Sequence, residues 1–350
     1  MISKTLDENA ISFIAEESDD LLIIRRLIKK GDMIVGETTR VIKQEKEYSR
    51  PDKGERIKIR LAIEVEKVSL DDVLDRIRVG GTITESNNDA VPHGSHHSFI
   101  VKIDEPFNLV KKKWTPMEKK LATKKQHGAT FVLVAIDTGD CGIGRLKGTH
   151  LYLLPNMYSG SSGKRYKSNF KIEKFFDDVI KALTTIVQKD DTVIIFGPGE
   201  TRKKFSNFLS NTTLGQKIQI KVVEGIDSGG EDGIHIFTKS DSMKEIMSNS
   251  KLAKVTKIID QVMFLANKTS KKFSMGLAET RKANEFGAIE SLAFSERVIQ
   301  DSDEQEVMDF LNDVESKGGE LFSVDGTTDV GLRVSGLGGI IALLRFPVDG

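Results

Sequence analysis

The stretch TVIIFGPGETRKKFSNFLSN, residues 192–211, joins a short apolar run to a segment with helical spacing through a Gly-Pro-Gly turn. The apolar run FVLVAID at 131–137 comes before it, and KIQIKVV at 217–223 follows it. Apolar runs of this length are typical of buried strands, and helical segments that alternate with them favour parallel pairing. The middle of the chain is therefore predicted to be an α/β layer with parallel strands.

The flanks of this stretch extend the same pattern. CGIGRL and HLYLLP, at 141–146 and 150–155, are predicted to pair with the first strand as a meander. NFKIEKFFDDVIKALTTIVQK, at 169–189, is predicted to be a helix. Between them SGSSGKRYKSN, at 159–169, is rich in Gly, Ser and Lys and is interpreted as an exposed loop.

Before this layer, short segments mix β-branched and polar residues, as strands do. They are AISFIA (10–15), GDMIVGETTRVI (31–42), ERIKIRLAIEVEKV (55–68), LDRIRVGGTIT (74–84) and HSFIVKI (97–103). Such a set of short strands indicates a small barrel. DDLLIIRRLIKKGD (19–32) has helical spacing and ends near Gly31, so one helix is expected to pack on that barrel. KKKWTPMEKKLATKKQHG (111–128) is interpreted as a basic linker with a helix after Pro116.

Toward the carboxyl end the α/β alternation repeats. A Gly-rich stretch, EGIDSGGEDGI (224–234), precedes one long helical pattern at 242–268. The predicted elements after it are a helix at 275–287, a strand at 288–295, an acidic helix at 303–319 and strands at 320–324 and 339–346. We therefore predict three domains with boundaries 1–126, 127–243 and 244–350.

Charge is distributed unevenly along the chain. The sequence has 52 basic and 52 acidic residues, so its formal net charge is zero. Residues 111–126 nevertheless hold seven lysines and one glutamate, whereas 285–329 hold thirteen acidic and two basic residues. The first run suits a polyanion and the second suits a basic partner, although either could be a solvated helix face.

Several kinds of site are disfavoured by the residues themselves. The single cysteine, Cys141, rules out an intramolecular disulfide and a cysteine-rich zinc site. His93, His96 and His97 lie close together, but a turn entering a strand would point the last two to opposite faces. FGPGE lacks both phosphate-loop spacings and is interpreted as a structural turn. The chain has no signal peptide and no apolar run of the roughly 18–20 residues that span a bilayer, so a cytosolic location is expected.

The third domain resembles a known family. KANEFGAIESLAFSERVI at 282–299 and SGLGGIIALLRFPVD at 335–349 look like the C-terminal domain of the Pelota proteins, which are related to class 1 release factors. GDMIVGETTRVI, RIKIRLAIEVEKV, VPHGSHHSFIV and KKKW are similar to the family's first domain, and FGPGETRKKF is similar to its central turn. The order matches over the whole chain, and the lack of an acidic tail after Pro347 resembles the shorter archaeal form.

The resemblance implies an α+β multidomain fold. It comprises an N-terminal Sm-like β-barrel, a central release-factor-like α/β domain and a C-terminal α/β sandwich like kink-turn-binding ribosomal proteins. It also implies a monomeric tRNA mimic that enters the vacant A site of a stalled ribosome and starts ribosome rescue and no-go mRNA decay. The partners it implies are the ribosome, a translational GTPase related to the tRNA-delivering elongation factor, and an ABC-type ribosome-recycling ATPase.

Two enzymatic alternatives can be examined in the sequence. Release factors hydrolyse peptidyl-tRNA with a Gly-Gly-Gln tip, but the four Gly-Gly pairs here are followed by Thr82, Glu231, Glu320 and Ile340, so that activity is not expected. Endonucleolytic cleavage of mRNA has been attributed to the family's N-terminal domain with a divalent metal, Mg²⁺ or Mn²⁺. The candidate carboxylates for that chemistry are Glu16, Glu17, Asp19 and Asp20, and helix capping is the alternative interpretation.

Two basic loops are the candidate RNA contacts, since Lys and Arg side chains can bind phosphates. QEKEYSRPDKGER, at 44–56, matches the family loop that probes the decoding site, which makes Lys46, Arg50, Lys53 and Arg56 candidates. GKRYKSN, at 163–169, is similar to the basic loop of the central domain and gives Lys164, Arg165 and Lys167, although it departs from the usual Pro-Arg-Lys wording. The sequence alone leaves the choice between adaptor and endoribonuclease open.

Overall fold

The computed structural model describes residues 1–42, 55–71, 76–123, 130–160, 171–188, 191–268 and 270–348. The chain divides into two compact units. The first unit comprises Met1–Gln126 and Ile299–Ser316, and the second comprises His127–Val298 and Lys317–Gly350. The three predicted domain boundaries remain predictions.

A seven-stranded antiparallel sheet forms the first unit. Its strands are β1 (Ile2–Thr5), β2 (Ala10–Ile14), β3 (Met33–Ile42), β4 (Glu55–Leu70), β5 (Arg76–Ser86), β6 (His96–Lys102) and β7 (Pro106–Val110), in the order β1-β2-β7-β3-β4-β5-β6. A bridge between Ala15 and Ile103 joins the chain after β2 to the chain after β6, so the sheet curls back on itself. The predicted barrel is confirmed, but β1 (ISKT) and β7 (PFNLV) were not predicted, because neither combines an apolar run with clear alternation and β7 begins with a proline.

Two helices lie against this barrel. Helix α1 (Ser18–Leu27) places Leu21, Ile24 and Leu27 in the barrel core, and all three are fully buried. Helix α2 (Pro116–Ala122) begins with Pro and is capped by a reciprocal pair of hydrogen bonds between Thr115 and Glu118. Both helices agree with the sequence prediction, because helical spacing and a proline at the first position are local signals, although α1 ends at Leu27 and not near Gly31.

The first lysine of the predicted basic linker belongs to the core of the first unit. Lys111 is 4% exposed, and its Nζ lies 2.6 Å from Asp32 Oδ2 and 3.5 Å from Glu118 Oε1. Lys29 Nζ lies 2.9 Å from the same Glu118 oxygen. Lys111 is thus an internal ion-pair partner that ties α2 to the barrel, whereas Lys112 and Lys113 are exposed.

Trp114 completes this connection. Its indole N–H donates to the Asn9 carbonyl at 2.7 Å, and the Lys111 ammonium lies 5.4 Å from the ring centroid. The buried indole therefore finds a polar partner at its rim while its rings pack on Phe13 in the core.

The sheet that opens the second unit carries the central α/β layer. Its strands are β8 (Phe131–Ile136), β9 (Asp140–Lys147), β10 (His150–Leu153), β11 (Met157–Tyr158), β12 (Thr192–Phe196) and β13 (Gln219–Val222). β12 pairs in parallel with β8 and β13, while β9 pairs antiparallel with β8, β10 and β11. The predicted parallel layer and meander are both present. Helices α3 (Ile172–Ile186) and α4 (Thr201–Ser210) pack on one face of this sheet through a shared core.

The Gly-rich stretch at 224–234 contains the start of helix α5 (Gly230–Thr238). A Cβ added to Gly142 of β9 would lie 2.4 Å from the carbonyl carbon of Gly230, so these backbones touch directly. The glycines here allow a helix to approach a strand closely, whereas sequence reading associates such a stretch with a loop.

The rest of the chain alternates helices and strands. The elements are α6 (Asp241–Ile246), α7 (Lys251–Asn267), β14 (Phe273–Met275), α8 (Leu277–Glu285), β15 (Ile289–Ser295), α9 (Arg297–Gln300), α10 (Glu304–Ser316), β16 (Glu320–Val324), α11 (Asp329–Gly336) and β17 (Ile340–Leu344). The long helical pattern at 242–268 is two helices, because Ser250 caps α7 by accepting from the Ala253 N–H at 3.1 Å. The sheet order is β14-β17-β15-β16, and α10 belongs to the first unit. The predicted α+β multidomain fold is confirmed.

Within the described ranges, no helix combines the length and the apolar character needed to cross a membrane.

Ion pairing makes Glu118 sensitive to acid. Burial taken alone raises the pKa of Glu118, but hydrogen bonds with Thr115 and Lys29 and the charge of Lys111 outweigh it and lower the pKa to about 2. Because the folded pKa lies below the ordinary value of 4.5, the stabilising charge is present above that pH and is lost as the pH falls toward 2.

Glu118→Gln should therefore lower the free energy of unfolding near neutral pH by about 2 kcal/mol and flatten its decline in acid. Glutamine keeps the capping-box hydrogen bond, so the change isolates the charge. Urea titrations followed by fluorescence of Trp114, the single tryptophan, measure this at a series of pH values. Glu85→Gln, at an exposed position, is the control. An unchanged acid dependence in the Glu118 variant would show that the charge does not stabilise the fold.

Candidate nucleic-acid interface

Beyond the barrel edge, β3 and β4 form a two-stranded ribbon. β7 pairs with β3 only from Met33 to Gly36, and β5 pairs with β4 only from Leu61 onward. In the described part of the chain, the segments 37–42 and 55–60 therefore have each other as their strand partners. We call this pair of segments the ribbon.

One face of the ribbon is basic and exposed. Arg56, Lys58 and Arg60 occupy every second position of β4, so their side chains stand on the same face about 7 Å apart. The residues opposite them in β3 are Val41, Thr39 and Glu37, and all of these are exposed too. This face, defined by Arg56, Lys58 and Arg60, is the basic face of the ribbon.

The other face anchors the ribbon to the barrel. Ile59 is buried in the barrel core, and Arg40 donates to the Ser95 hydroxyl at 3.1 Å. His97 Nε2 lies 3.0 Å from the Thr38 hydroxyl. Burial lowers the pKa of His97, and the nearby charge of Arg40 lowers it further, so the imidazole is neutral at physiological pH. The ribbon is thus fixed on one side and open on the other.

The predicted RNA contacts divide between the ribbon and undescribed segments. Arg56 lies on the basic face. The other six predicted contacts fall outside the described residues; they are Lys46, Arg50, Lys53, Lys164, Arg165 and Lys167. Lys58 and Arg60 were missed by the sequence analysis, although a basic residue at every second position of a predicted strand was a signal that could have identified them.

The three neighbouring histidines have separate partners. His93 Nδ1 lies 2.8 Å from the Thr84 carbonyl oxygen, His96 Nδ1 lies 3.4 Å from Glu66 Oε2, and His97 contacts Thr38. Among the residues that the structure describes, no three His, Cys, Asp or Glu side chains are grouped so that they could hold a metal ion.

Two of the four predicted catalytic carboxylates, Glu16 and Asp20, contact the amino group of Met1. The Met1 ammonium lies 2.7 Å from Asp20 Oδ2 and 2.7 Å from Glu16 Oε2, and the Glu16 N–H donates to Asp20 Oδ2 at 2.9 Å. Asp20 is fully buried. Glu17 is the N-cap residue of α1, but its side chain makes no capping hydrogen bond, so the capping interpretation is wrong for this residue.

This arrangement does not fit a divalent metal. Glu16 and Asp20 already neutralise the Met1 ammonium between them, and among the described residues no third His, Cys, Asp or Glu side chain joins them as a metal-binding group. Asp19 and Asp20 occupy the first turn of α1, where negative charge is favourable to the helix dipole. We therefore derive no metal-dependent step from Glu16, Glu17, Asp19 and Asp20.

The Gly-Pro-Gly turn before α4 is closed by a cation. Arg202 Nη1 donates to the carbonyls of Gly197 at 3.0 Å and Gly199 at 2.6 Å, and Nη2 donates to Glu224 at 3.1 Å. A phosphate cradle presents amide N–H groups, whereas this turn presents carbonyl oxygens to a guanidinium. These contacts agree with the prediction that FGPGE is a structural turn.

The Gly-Gly pairs all lie in or beside regular elements. Gly80-Gly81 lies within β5, Gly229-Gly230 begins α5, Gly318-Gly319 precedes β16, and Gly338-Gly339 precedes β17. Close packing explains Gly81, where an added Cβ would lie 2.0 Å from the Glu64 carbonyl oxygen, and Gly230, whose backbone touches Gly142.

The ion pairs of Asp20 also predict a response to base. Burial by itself lowers the pKa of the Met1 ammonium, but the hydrogen bonds and charges of Asp20 and Glu16 outweigh it, so the pKa is raised above its ordinary value of 8.0. Stability from this charge is fully present below pH 8.0 and is lost as the pH rises through the folded pKa.

Asp20→Asn should remove most of this base sensitivity and lower the free energy of unfolding near neutral pH by about 2 kcal/mol. Thermal unfolding of the full chain between neutral and alkaline pH measures both effects. Asp19→Asn, in the same helical turn, is the matched control. Equal losses in the two variants would mean that the helix dipole, and not the buried pair, is responsible.

Comparison with known proteins places this chain in a family. A family model of the Pelota N-terminal domain matches residues 1–125, and one of eRF1 domain 3 matches residues 252–348. The protein pelota homolog of Nitrosopumilus maritimus is 62% identical over 349 residues, which cover 100% of both chains.

Solved structures agree in fold. The crystal structure of Thermoplasma acidophilum Pelota has a TM-score of 0.63 at 21% identity and covers 99% of this chain and 100% of that one. The crystal structure of Archaeoglobus fulgidus Pelota has a TM-score of 0.52 at 26% identity and covers 100% of this chain and 99% of that one. The 62% identity with the Nitrosopumilus maritimus homolog over the full length, together with the two terminal domains matched in order, shows that the chain belongs to the Pelota family.

Proposed function

We propose that this chain recognises stalled ribosomes by entering the vacant A site as a tRNA mimic, and that it thereby promotes ribosome rescue, subunit dissociation and no-go mRNA decay. The observation that carries the proposal is the 62% identity with a pelota homolog over the whole of both chains. An identity that spans every domain supports a shared activity better than a match to one domain does.

The basic face of the ribbon supplies a physical means of binding. Arg56, Lys58 and Arg60 are exposed on an element that projects past the barrel, and the predicted contacts Lys46, Arg50 and Lys53 lie in the segment that joins its two strands. Contacts between such side chains and phosphates provide affinity without reading sequence, as a factor that acts on any stalled mRNA requires.

The missing Gly-Gly-Gln distinguishes rescue from termination. No Gly-Gly pair in the sequence is followed by glutamine. A release-factor-like domain without that tip can occupy the tRNA path and leave the nascent chain attached to its tRNA. The chain therefore acts by occupying the site, and other proteins perform the steps that need energy.

Those partners are a translational GTPase related to the tRNA-delivering elongation factor and an ABC-type ribosome-recycling ATPase, and the reaction takes place in the cytoplasm. One chain fills one A site, so the active form is a monomer. The alternative of a divalent-metal-dependent endoribonuclease has no support from the described residues, because two of its four candidate carboxylates, Glu16 and Asp20, hold the Met1 ammonium.

Reversing charge on the basic face should weaken ribosome binding. Lys58→Glu with Arg60→Glu is expected to reduce affinity for ribosomes stalled with a vacant A site by about tenfold or more near physiological salt. It should also make the slope of log affinity against log salt shallower by about 1.4–1.8, because each of the two lost phosphate contacts accounts for about 0.7–0.9 of released counterion. Sedimentation of stalled ribosomes with the purified chain at several salt concentrations measures both quantities.

Lys4→Glu with Lys102→Glu is the matched control, since both residues are exposed on strands of the same barrel outside the ribbon. The control should bind almost as the unmodified chain does. Equal weakening by the two double variants would mean that overall charge, and not the ribbon, governs binding.

Following subunit splitting and mRNA integrity in the same samples, with GTPase and ATPase added, separates rescue from cleavage. Cut mRNA with unsplit ribosomes would contradict the proposed function.

A further inference from the structure

Two consecutive arginines of α1 are buried beneath α10. Arg25 is 3% exposed and Arg26 is 6% exposed, although arginine is seldom fully buried without a partner. Both side chains lie in the first unit, and α10 approaches them from almost 280 residues further along the chain. The partners of these guanidinium groups explain the burial.

All side-chain partners given by the structure for the two arginines come from α10. Arg25 pairs through Nε with the Glu304 carboxylate and donates from Nη2 to Gln305 Oε1 at 3.1 Å. Arg26 donates from Nε to Asn312 Oδ1 at 2.9 Å and from Nη2 to Glu315 Oε2 at 2.6 Å. The one further acceptor is the Val68 carbonyl, 3.5 Å from Arg25 Nη2. Without α10 these guanidinium groups would face solvent with nearly all their donors unused.

The surface around the arginines is basic as well. Lys30, Lys119 and Lys120 are exposed on or beside α1 and α2, and Lys29 joins the two helices through Glu118. Lys120 also lines a cavity of about 310 Å³ together with Pro116, Met117, Leu121, Glu315 and Ser316. The end of α10 therefore meets α2 across an incompletely filled space with a lysine in its wall.

The chemistry of this contact is that of phosphate recognition. A guanidinium offers a planar fork of N–H donors that fits a carboxylate or a phosphate equally well. Desolvation offsets much of the attraction in a buried ion pair, but a guanidinium that loses its carboxylate needs another anion in its place. A phosphate can supply that charge. An acidic helix can thus occupy a surface that suits a nucleic-acid backbone.

We propose that Arg25, Arg26 and Lys120 form an RNA-phosphate surface that α10 covers in the free chain, and that α10 leaves this surface when RNA binds. The acidic residues Glu304 and Glu315 take the places of phosphates. The inference rests on the proposed function only for the identity of RNA as the polyanion. Lys120 belongs to the lysine-rich segment 111–126, which follows β7 and is separate from the ribbon. The proposed surface thus gives this segment a part in RNA binding.

Weakening the contact between α10 and the two arginines should raise the affinity of the chain for RNA. Glu304→Gln with Glu315→Gln in the full chain is expected to tighten binding of a fluorescein-labelled oligouridylate by about fivefold, measured by fluorescence anisotropy. Glu306→Gln with Asp313→Asn removes the same charge from exposed positions of the same helix and should change affinity by no more than about twofold. Adding Arg25→Gln and Arg26→Gln to the first variant should abolish the gain.

Equal gains from the two acidic double variants, or a gain that survives loss of both arginines, would overturn the inference. A second measurement avoids dependence on variants that fold poorly. Hydrogen exchange of the unmodified chain should become faster at the α10 amides when oligouridylate is added, and unchanged exchange at α10 would also overturn it.

The two proposals fail in different ways. If stalled ribosomes do not bind the unmodified chain, but the oligouridylate gain still depends on Arg25 and Arg26, the proposed function is wrong and the RNA surface stands. If ribosome binding depends on Lys58 and Arg60, but the oligouridylate gain does not depend on the arginines, the RNA surface alone is wrong.

Discussion

Ten cross-strand pairs join β3 to β4, from Met33 opposite Glu64 to Ile42 opposite Glu55. A slip of one residue in this register would exchange the two faces of β4. Ile59 would then leave the barrel core, and Arg56, Lys58 and Arg60 would turn toward it. Because a buried isoleucine and three solvated cations each oppose that slip, the core of the barrel and the basic face of the ribbon fix each other. The surface that we propose to bind RNA therefore follows from how the barrel packs.

The formal net charge is zero, but the charged residues serve different purposes. Some are structural, as when Lys111 and Glu118 secure α2 or when Asp20 holds the Met1 ammonium. Others are exposed on the ribbon and on α2, where they suit a polyanion. Acidic α10 adds a third use, since its carboxylates satisfy arginines of α1. In the proposed RNA surface, these carboxylates compete with phosphates for Arg25 and Arg26.

The features that could be predicted from sequence depend on local pattern. The barrel strands, α1, α2 and the parallel layer each have a period or a cap within a short window, and the ordered motifs identified the family. Features that require distant residues to meet could not be predicted: Arg25 with Glu304, Asp20 with Met1, and Lys111 with Asp32. Glycines were the other difficulty, because Gly142 and Gly230 mark a close approach of strand and helix, which composition alone does not distinguish from a loop.

The central claim is that this Pelota-family chain occupies the vacant A site while the nascent chain stays attached to its tRNA. Chemical footprinting of ribosomal RNA in stalled complexes tests it most directly, with peptidyl-tRNA followed in the same samples. The account predicts that the chain protects the decoding centre, that protection is lost with Lys58→Glu and Arg60→Glu, and that peptidyl-tRNA remains intact. Unprotected decoding-centre nucleotides at saturating protein, or hydrolysed peptidyl-tRNA, would contradict it.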